Sequence, residues 1–316
     1  MYDYIVVGAG IYGLLITYKL NLDGKKVLLV DKKEIKKKCK LQYMIISNKS
    51  YSVLNELLNE EVDNFIYKNY NSIIVAGNKI YTKYYILDLK KIKNYILNNI
   101  KNVDIKFSSK IDKYLFKDNK LIIDCKEYNY KNLIAADGTL SEIRLNISRK
   151  LQKFDAIASI KYKKNKEDNI IFFDKKYKLF EEIIKIRTNN YIRIINKQKK
   201  NNIFMNIKKI KNKYSIDSNS IDLYLIPRGN IILNKNNIYF IGDASGIIDP
   251  LNHLTMDYNL DIISIFPYIT KKKTNNIKRQ ILIKKVISKF MYLPIIDKLV
   301  IKIISKIERR KYDKGI

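Results

Sequence analysis

Three glycines near the start of the chain, Gly8, Gly10 and Gly13, are spaced Gly-x-Gly-x-x-Gly, and an acid, Asp31, follows 23 residues after Gly8. This spacing suits the holding of a dinucleotide. Gly8 permits a tight turn, Gly10 lets the backbone come up to a pyrophosphate, and Gly13 lets a helix pack closely on a strand. Asp31 would accept hydrogen bonds from a ribose. Gly8, Gly10, Tyr12, Gly13 and Asp31 are therefore the first candidate cofactor contacts. The plain alternative is a glycine-rich turn in an ordinary α/β protein.

The flanking residues predict the elements that would position them. Asp3 to Val7 is a short apolar run rich in β-branched residues and reads as a buried strand. Leu14 to Leu20 reads as a helix, Asp23-Gly24 as a turn, and Lys26 to Val30 as a second buried strand closed by Asp31. Together they make a strand–helix–strand unit of about thirty residues. Further on, Val53–Glu61 and Leu87–Ile100 have helical spacing, and short apolar runs between Val103 and Ala135 suggest strands and hairpins. Asp155 to Ile226 reads as an antiparallel sheet, with turns at Lys164–Asp168 and Thr188–Asn190. Ile238–Ile241 is again a buried strand, and the chain after Thr255 reads as helical with breaks at Pro267 and Pro294.

Composition limits the remaining options. The chain has 316 residues, enough for about two domains, and 47% of them are hydrophobic, too many for a disordered chain. Two cysteines cannot form a disulfide framework, so a cytoplasmic location is expected. His253 is the only histidine, which excludes any histidine-rich metal site and any triad that does not use it. No signal peptide and no membrane-spanning run is seen. The net charge of +31 would attract polyanions, but the lysines are spread along the whole chain, as a bias toward AT-rich codons would spread them. No specific nucleic-acid partner is expected.

Two more segments place acids and small residues at strand ends. Leu133 to Arg144 carries Asp137-Gly138 followed by Ser141 and Arg144, and Ile238 to Pro250 carries Gly242-Asp243 and a small-residue turn. With these, the chain resembles the FAD-dependent group that holds the aromatic-ring hydroxylases and the geranylgeranyl reductases. The resemblance implies that Asp137 and Gly138 lie near the pyrophosphate and that Asp243, after Gly242, meets the FAD ribityl chain. Lys36-Lys37-Lys38-Cys39 resembles the Lys-Pro-Cys-Gly-Gly segment of the reductases, where the cysteine lies close to the flavin ring. Leu225-Ile226-Pro227 and Pro250 to Met256 resemble two further reductase segments. Pro250, Thr255 and Met256 join the candidate FAD contacts on this ground, and Cys39 joins both as a contact and, with His253, as a candidate proton donor.

The sequence departs from that pattern in places. Lys40 and Leu41 stand where the reductases have glycines, His253 and Thr255 replace two glycines of the loop that meets the flavin, and Leu89 replaces an arginine. Side chains crowd a backbone that must approach a ring. Thr255 also suits the N-cap of a following helix. The segment from Lys271 spaces Ile, Leu and Val at three to four residues with lysines between, which fits either a helix packed on the protein or one docked on an anionic membrane face.

The expectation is an α/β protein. Residues 1–150 and 227–270 form a Rossmann-like FAD-binding domain, residues 151–226 an inserted antiparallel-sheet substrate domain, and residues 271–316 a basic amphipathic helical tail. The resemblance implies reduction of C=C bonds in a prenyl lipid, with NAD(P)H or ferredoxin as electron donor and peripheral contact with a membrane. The alternatives are an FAD monooxygenase and a degenerate flavoprotein without catalysis.

Overall fold

The structure, a computed structural model, describes residues 1–34, 43–75, 78–149, 153–161, 170–172, 183–187, 191–196, 204–205, 207–208, 211–212, 221–228, 230–250 and 255–290. Strand β1 (Tyr2–Val7) enters the core with Ile5 and Val6 fully buried. Helix α1 (Ile11–Leu22) follows and buries nearly every residue, as a helix apolar on all sides must. Gly24, in the left-handed region, turns the chain into β2 (Val27–Asp31).

Next come β3 (Tyr43–Ser47) and α2 (Asn48–Leu57), capped by the Ser47 hydroxyl. The helix thus starts five residues before Val53, because the cap rather than the apolar spacing sets its start. A hairpin of β4 (Ile66–Val75) and β5 (Asn78–Asp88) leads to α3 (Leu89–Asn99), whose first amides are capped by the Asp88 carboxylate. Beyond it lie β6 (Val103–Phe107), β7 (Ile111–Leu115), β8 (Lys120–Ile123), β9 (Lys126–Ala135) and α4 (Glu142–Ser148). Strands β10 (Lys153–Lys161), β11 (Ile170–Phe172), β12 (Ile183–Arg187), β13 (Tyr191–Asn196) and β14 (Ile221–Arg228) follow. The described chain ends with β15 (Asn234–Lys235), β16 (Ile238–Phe240), α5 (Met256–Ile265) and α6 (Lys271–Phe290).

These elements make two sheets. The first runs β15-β16-β9-β1-β2-β6, and every pair from β16 to β6 is parallel. One face packs on α1, α3 and α5 through Val6, Leu29 and Ile134 against residues such as Leu14, Ile96 and Leu260. The other face, with Ile5, Leu28 and Leu133, is covered by β7, β8 and α4 through Ile111, Leu121 and Ile143. A parallel sheet is stable only when both faces are covered in this way.

The second sheet runs β14-β10-β13-β12-β11-β4-β5-β3, antiparallel except where β11 meets β4. The antiparallel character expected for Asp155–Ile226 is present, but the sheet also takes in Tyr43–Asp88, joined through the β11–β4 pair. Helix α6 buries Ile277 and Lys284 and exposes Leu282, Ile283 and Val286. Among the described residues no helix is long and apolar enough to cross a membrane.

Candidate functional site

The parallel register puts five chain segments at one edge of the first sheet. Val7 pairs with both Val30 and Ala135, Ala135 with Phe240, and Asp31 with Phe107. Gly8, Asp31, Ser109, Asp137 and Asp243 therefore all lie at or just beyond the carboxyl ends of neighbouring strands. The order also reverses at β1, with β2 on one side and β9 on the other. In open α/β sheets that reversal leaves a crevice, and ligands bind there.

The glycine loop is built by contact with the next strand. Gly8 has φ +106° and donates to the Val30 carbonyl at 2.7 Å, while Ala136 donates to the Val7 carbonyl at 2.8 Å. A methyl group on Gly8 would lie 2.3 Å from the Ala136 oxygen, and one on Gly13 would lie 1.8 Å from the Gly8 oxygen. Only hydrogen fits at either position. Asp31 braces the same loop: its Oδ2 accepts from the Ala9 amide at 2.6 Å and its Oδ1 from the Lys33 amide at 2.8 Å. A carboxylate has about four acceptor positions, so Asp31 keeps capacity for a ligand hydroxyl.

Beside this loop is a cleft of about 210 Å³, lined by Gly8, Gly10, Asp31, Lys110, Tyr114 and Asp137, with Gly138 and Ser109 among its other walls. Three observations show that the cleft suits the adenosine and pyrophosphate end of a dinucleotide. A methyl group on Gly10 or Gly138 would meet nothing within 4 Å, so the backbone there is open to a ligand. The start of α1 has no side-chain cap and no acid in its first turn, which leaves amides for an anion. The buried Oδ1 of Asp137 has no hydrogen-bond partner, and a buried carboxyl oxygen is costly to leave so. Burial pushes the Asp137 carboxyl up from its ordinary value, against a hydrogen bond from Ser141.

The two acid-bearing turns are stitched together. Ser141 caps α4 by accepting from the Arg144 amide at 3.0 Å, and the buried Arg144 guanidinium donates to the carbonyl oxygens of Ala244 and Asn230. Thr139 lies within hydrogen-bond distance of Asp243 Oδ2, at 3.1 Å, and of the Leu225 carbonyl on β14, at 2.8 Å. Asn259 of α5 accepts from the Gly242 amide at 2.7 Å. Burial pushes the Asp243 carboxyl up to about 6, and the Thr139 hydroxyl opposes that rise.

The residues singled out in the sequence fall into three groups. Gly8, Gly10, Asp31, Asp137 and Gly138 share the cleft. Tyr12, Gly13, Gly242, Asp243, Thr255 and Met256 are not among its lining residues. The Tyr12 ring is buried against Gly242, whose added methyl group would lie 2.5 Å from it, and the Tyr12 hydroxyl meets that of Thr255 at 2.5 Å. Thr255 does occupy the N-cap position of α5, but its side chain makes no capping bond, since its hydroxyl is bonded to Tyr12. Met256 is 1% exposed and points into the core, and Pro250 is half-buried in the turn after Asp249. Cys39 and His253, with Lys40 and Leu41, lie outside the described residues. Leu89 is buried in the hydrophobic core behind the site. Sequence reasoning missed Ser109, Lys110 and Tyr114 as cleft walls. Ser109 and Lys110 lie in the turn after β6, an edge neighbour of β2, and Tyr114 lies on the following strand β7; that adjacency was the available signal.

Comparisons with known proteins agree with this geometry. The family described as an NAD(P)-binding Rossmann-like domain matches residues 6–35, the glycine loop and its two strands. No curated protein matches the sequence. Among solved structures, PqsL of Pseudomonas aeruginosa, assigned to the FAD-dependent monooxygenases, superposes with a TM-score of 0.63 at 11% identity over 92% of this chain and 94% of that one. A geranylgeranyl bacteriochlorophyll reductase-like protein from Thermoplasma acidophilum gives 0.69 at 15% identity, over 95% and 90%. The p-nitrophenol 4-monooxygenase PnpA of Pseudomonas putida gives 0.64 at 14%, over 93% and 86%. The chain has the fold of these proteins along nearly its whole length.

Proposed function

We propose that the chain is an FAD-dependent oxidoreductase that reduces C=C bonds of a prenyl chain on a lipid. The single observation that carries the cofactor assignment is the convergence of Gly10, Asp31, Asp137 and Gly138 on one open cleft at the strand reversal. When bound, FAD would supply hydride transfer, chemistry that no side chain provides. Asp31 would hold the ribose, the amides at the start of α1 the pyrophosphate, and Asp243 the ribityl chain. The substrate class rests on the residues resembling the reductases, on the Thermoplasma likeness, and on the apolar buried side chains of the second sheet, including Tyr84, Ile86, Ile157 and Ile160. That sheet would exclude water from the reacting carbons. Either NAD(P)H or ferredoxin would be the donor. The exposed Leu282, Ile283 and Val286 of α6, with Lys278 and Lys285 beside them, would suit peripheral contact with an anionic lipid surface.

The likeness to PqsL and PnpA favours a second reading, a monooxygenase. One experiment separates the two. The purified protein, loaded with FAD, is photoreduced without air and mixed with geranylgeranyl lipids. Reoxidation of the flavin with saturation of the lipid supports the reductase, whereas NADPH oxidation that needs both oxygen and an aromatic substrate supports the monooxygenase. A colourless protein that takes up no FAD would remove both readings.

A further inference from the structure

Asn259, in the first turn of α5, is fully buried and engages backbone with both ends of its side-chain amide. Its Oδ1 accepts from the Gly242 amide at 2.7 Å, and its Nδ2 donates to the Thr255 carbonyl at 2.9 Å. The partners force this orientation, since a backbone amide only donates and a backbone carbonyl only accepts. The first bond falls one residue before Asp243, and the second falls on the N-cap residue of α5. One side chain therefore sets the spacing between the turn after β16 and the start of α5. A leucine here would have neither group, a carboxylate would lack the donor, and a glutamine would carry the same amide one carbon too far.

The surroundings hold the same two segments together. The Tyr12 hydroxyl of α1 meets Thr255 Oγ1 at 2.5 Å, and the Tyr12 ring lies against Gly242, where an added methyl group would come within 2.5 Å of it. The Thr255 carbonyl also takes the backbone amide of Asn259, at 3.2 Å. Asn259, Gly242 and Thr255 are not among the residues that line the cleft of Gly10 and Asp31. That cleft has its own supports, the bond from the Ala9 amide to Asp31 and the close approach of Gly8 to Ala136.

We propose that Asn259 is a positioning residue for the flavin half of the cofactor. It fixes the Gly242–Asp243 turn on the start of α5 and leaves the adenosine cleft to its separate supports. This rests on the FAD reading above, which puts Asp243 on the ribityl chain. Asn259 acts through the two segments that it joins: the carboxyl of Asp243, and the first amides of α5, for which the Thr255 side chain provides no capping bond. A binding group held by a locked neighbour keeps its geometry, and one whose support is removed drifts from it.

The test compares two probes on the full chain, FAD and ADP, each titrated by calorimetry into native protein and variants that circular dichroism shows to be folded. ADP fills only the adenosine end, so it reports whether the cleft itself is disturbed. Asn259→Ala keeps a good helix former in α5 and removes both side-chain bonds. It should raise the FAD Kd by about tenfold or more and leave the ADP Kd within about twofold. Asn259→Asp keeps the volume and the acceptor for Gly242 but has no donor for Thr255; it should show the same split and serves if the alanine variant does not fold. A merely structural role would weaken both ligands together. Equal losses for FAD and ADP, or no loss of either, would therefore overturn the proposal. A native chain that binds ADP and takes up no FAD would instead overturn the cofactor reading, and the proposal with it.

Discussion

Arg144 Nη1 donates to the carbonyl oxygen of Ala244 at 2.9 Å, joining two turns that lie 100 residues apart. The same guanidinium also donates to the Asn230 carbonyl, and burial pulls its pKa below the ordinary arginine value. The turn bearing Asp137 is thereby fixed to the turn bearing Asp243, so the two carboxyls keep one spacing.

Arg144→Met should cost about 2 kcal/mol or more in urea unfolding, because hydrogen bonds to a charged group each contribute about 1.5–3 kcal/mol. Arg144→Lys should recover only part of it, since an ammonium lacks the two-pronged fork. FAD affinity should fall in both variants, and an unchanged Kd would show that the clasp does not set the geometry of the cleft.

Gly10 and Gly13 should separate binding from folding. A methyl group at Gly10 enters open space, whereas at Gly13 it lies 1.8 Å from the Gly8 oxygen. Gly10→Ala should keep the native Tm within about 2 °C while weakening FAD binding at least tenfold. Gly13→Ala should lower Tm by several degrees, as overpacking costs about 1–3 kcal/mol. Thermal melts and flavin-quenching titrations on the same samples check both.

Lys284 of α6 forms a buried ion pair with Asp249 at the end of the Gly242–Asp243 turn, and its ammonium lies 5.1 Å from the Tyr258 ring centroid. Lys284→Met removes one partner and leaves a buried carboxylate, at a cost of about 3–5 kcal/mol. The double variant Lys284→Met with Asp249→Leu should regain most of that loss. Denaturant melts of the two singles and the double complete the cycle, and additive losses would refute the coupling.

Asp243 should give stability a pH slope of defined sign. Its carboxyl titrates near 6 when folded and near about 4 when unfolded, so between those values the folded state holds a proton that the unfolded state has released. Stability from this group is therefore full below about pH 4, falls as pH rises through about 6, and is level above. The raised carboxyl of Asp137 contributes with the same sign. The contribution of Asp243 is the difference from Asp243→Asn, whose urea midpoint should fall less over that range.

What the sequence showed was local. The strand, glycine turn, helix and second strand from Tyr2 to Asp31 follow from contiguous residue types, and the two acid turns follow from strand ends. The hairpin β4–β5 was hidden for a specific reason. Its register shifts between Ile66 and Lys68 and again between Tyr70 and Ser72, so alternation is broken, and Tyr81 is 75% exposed where an apolar ring suggests a core. The start of α3 at Leu89 was blurred because Leu87 and Asp88 belong to β5. The partners of Arg144, Thr139 and Tyr12 lie 86 to 243 residues away, and no local pattern encodes such pairings.

The glycine loop is closed only by contacts from distant parts of the chain. Gly8 leans on Ala136, its helix meets Thr255, and the turn opposite it is pinned by Lys284. Until β9 and α5 have formed, β1 and β2 lack the neighbours that complete their cover, and uncovered apolar strands invite aggregation. Chains that end before α5 should therefore aggregate, and a folding chaperone supplied during synthesis should raise the yield of such fragments in soluble form.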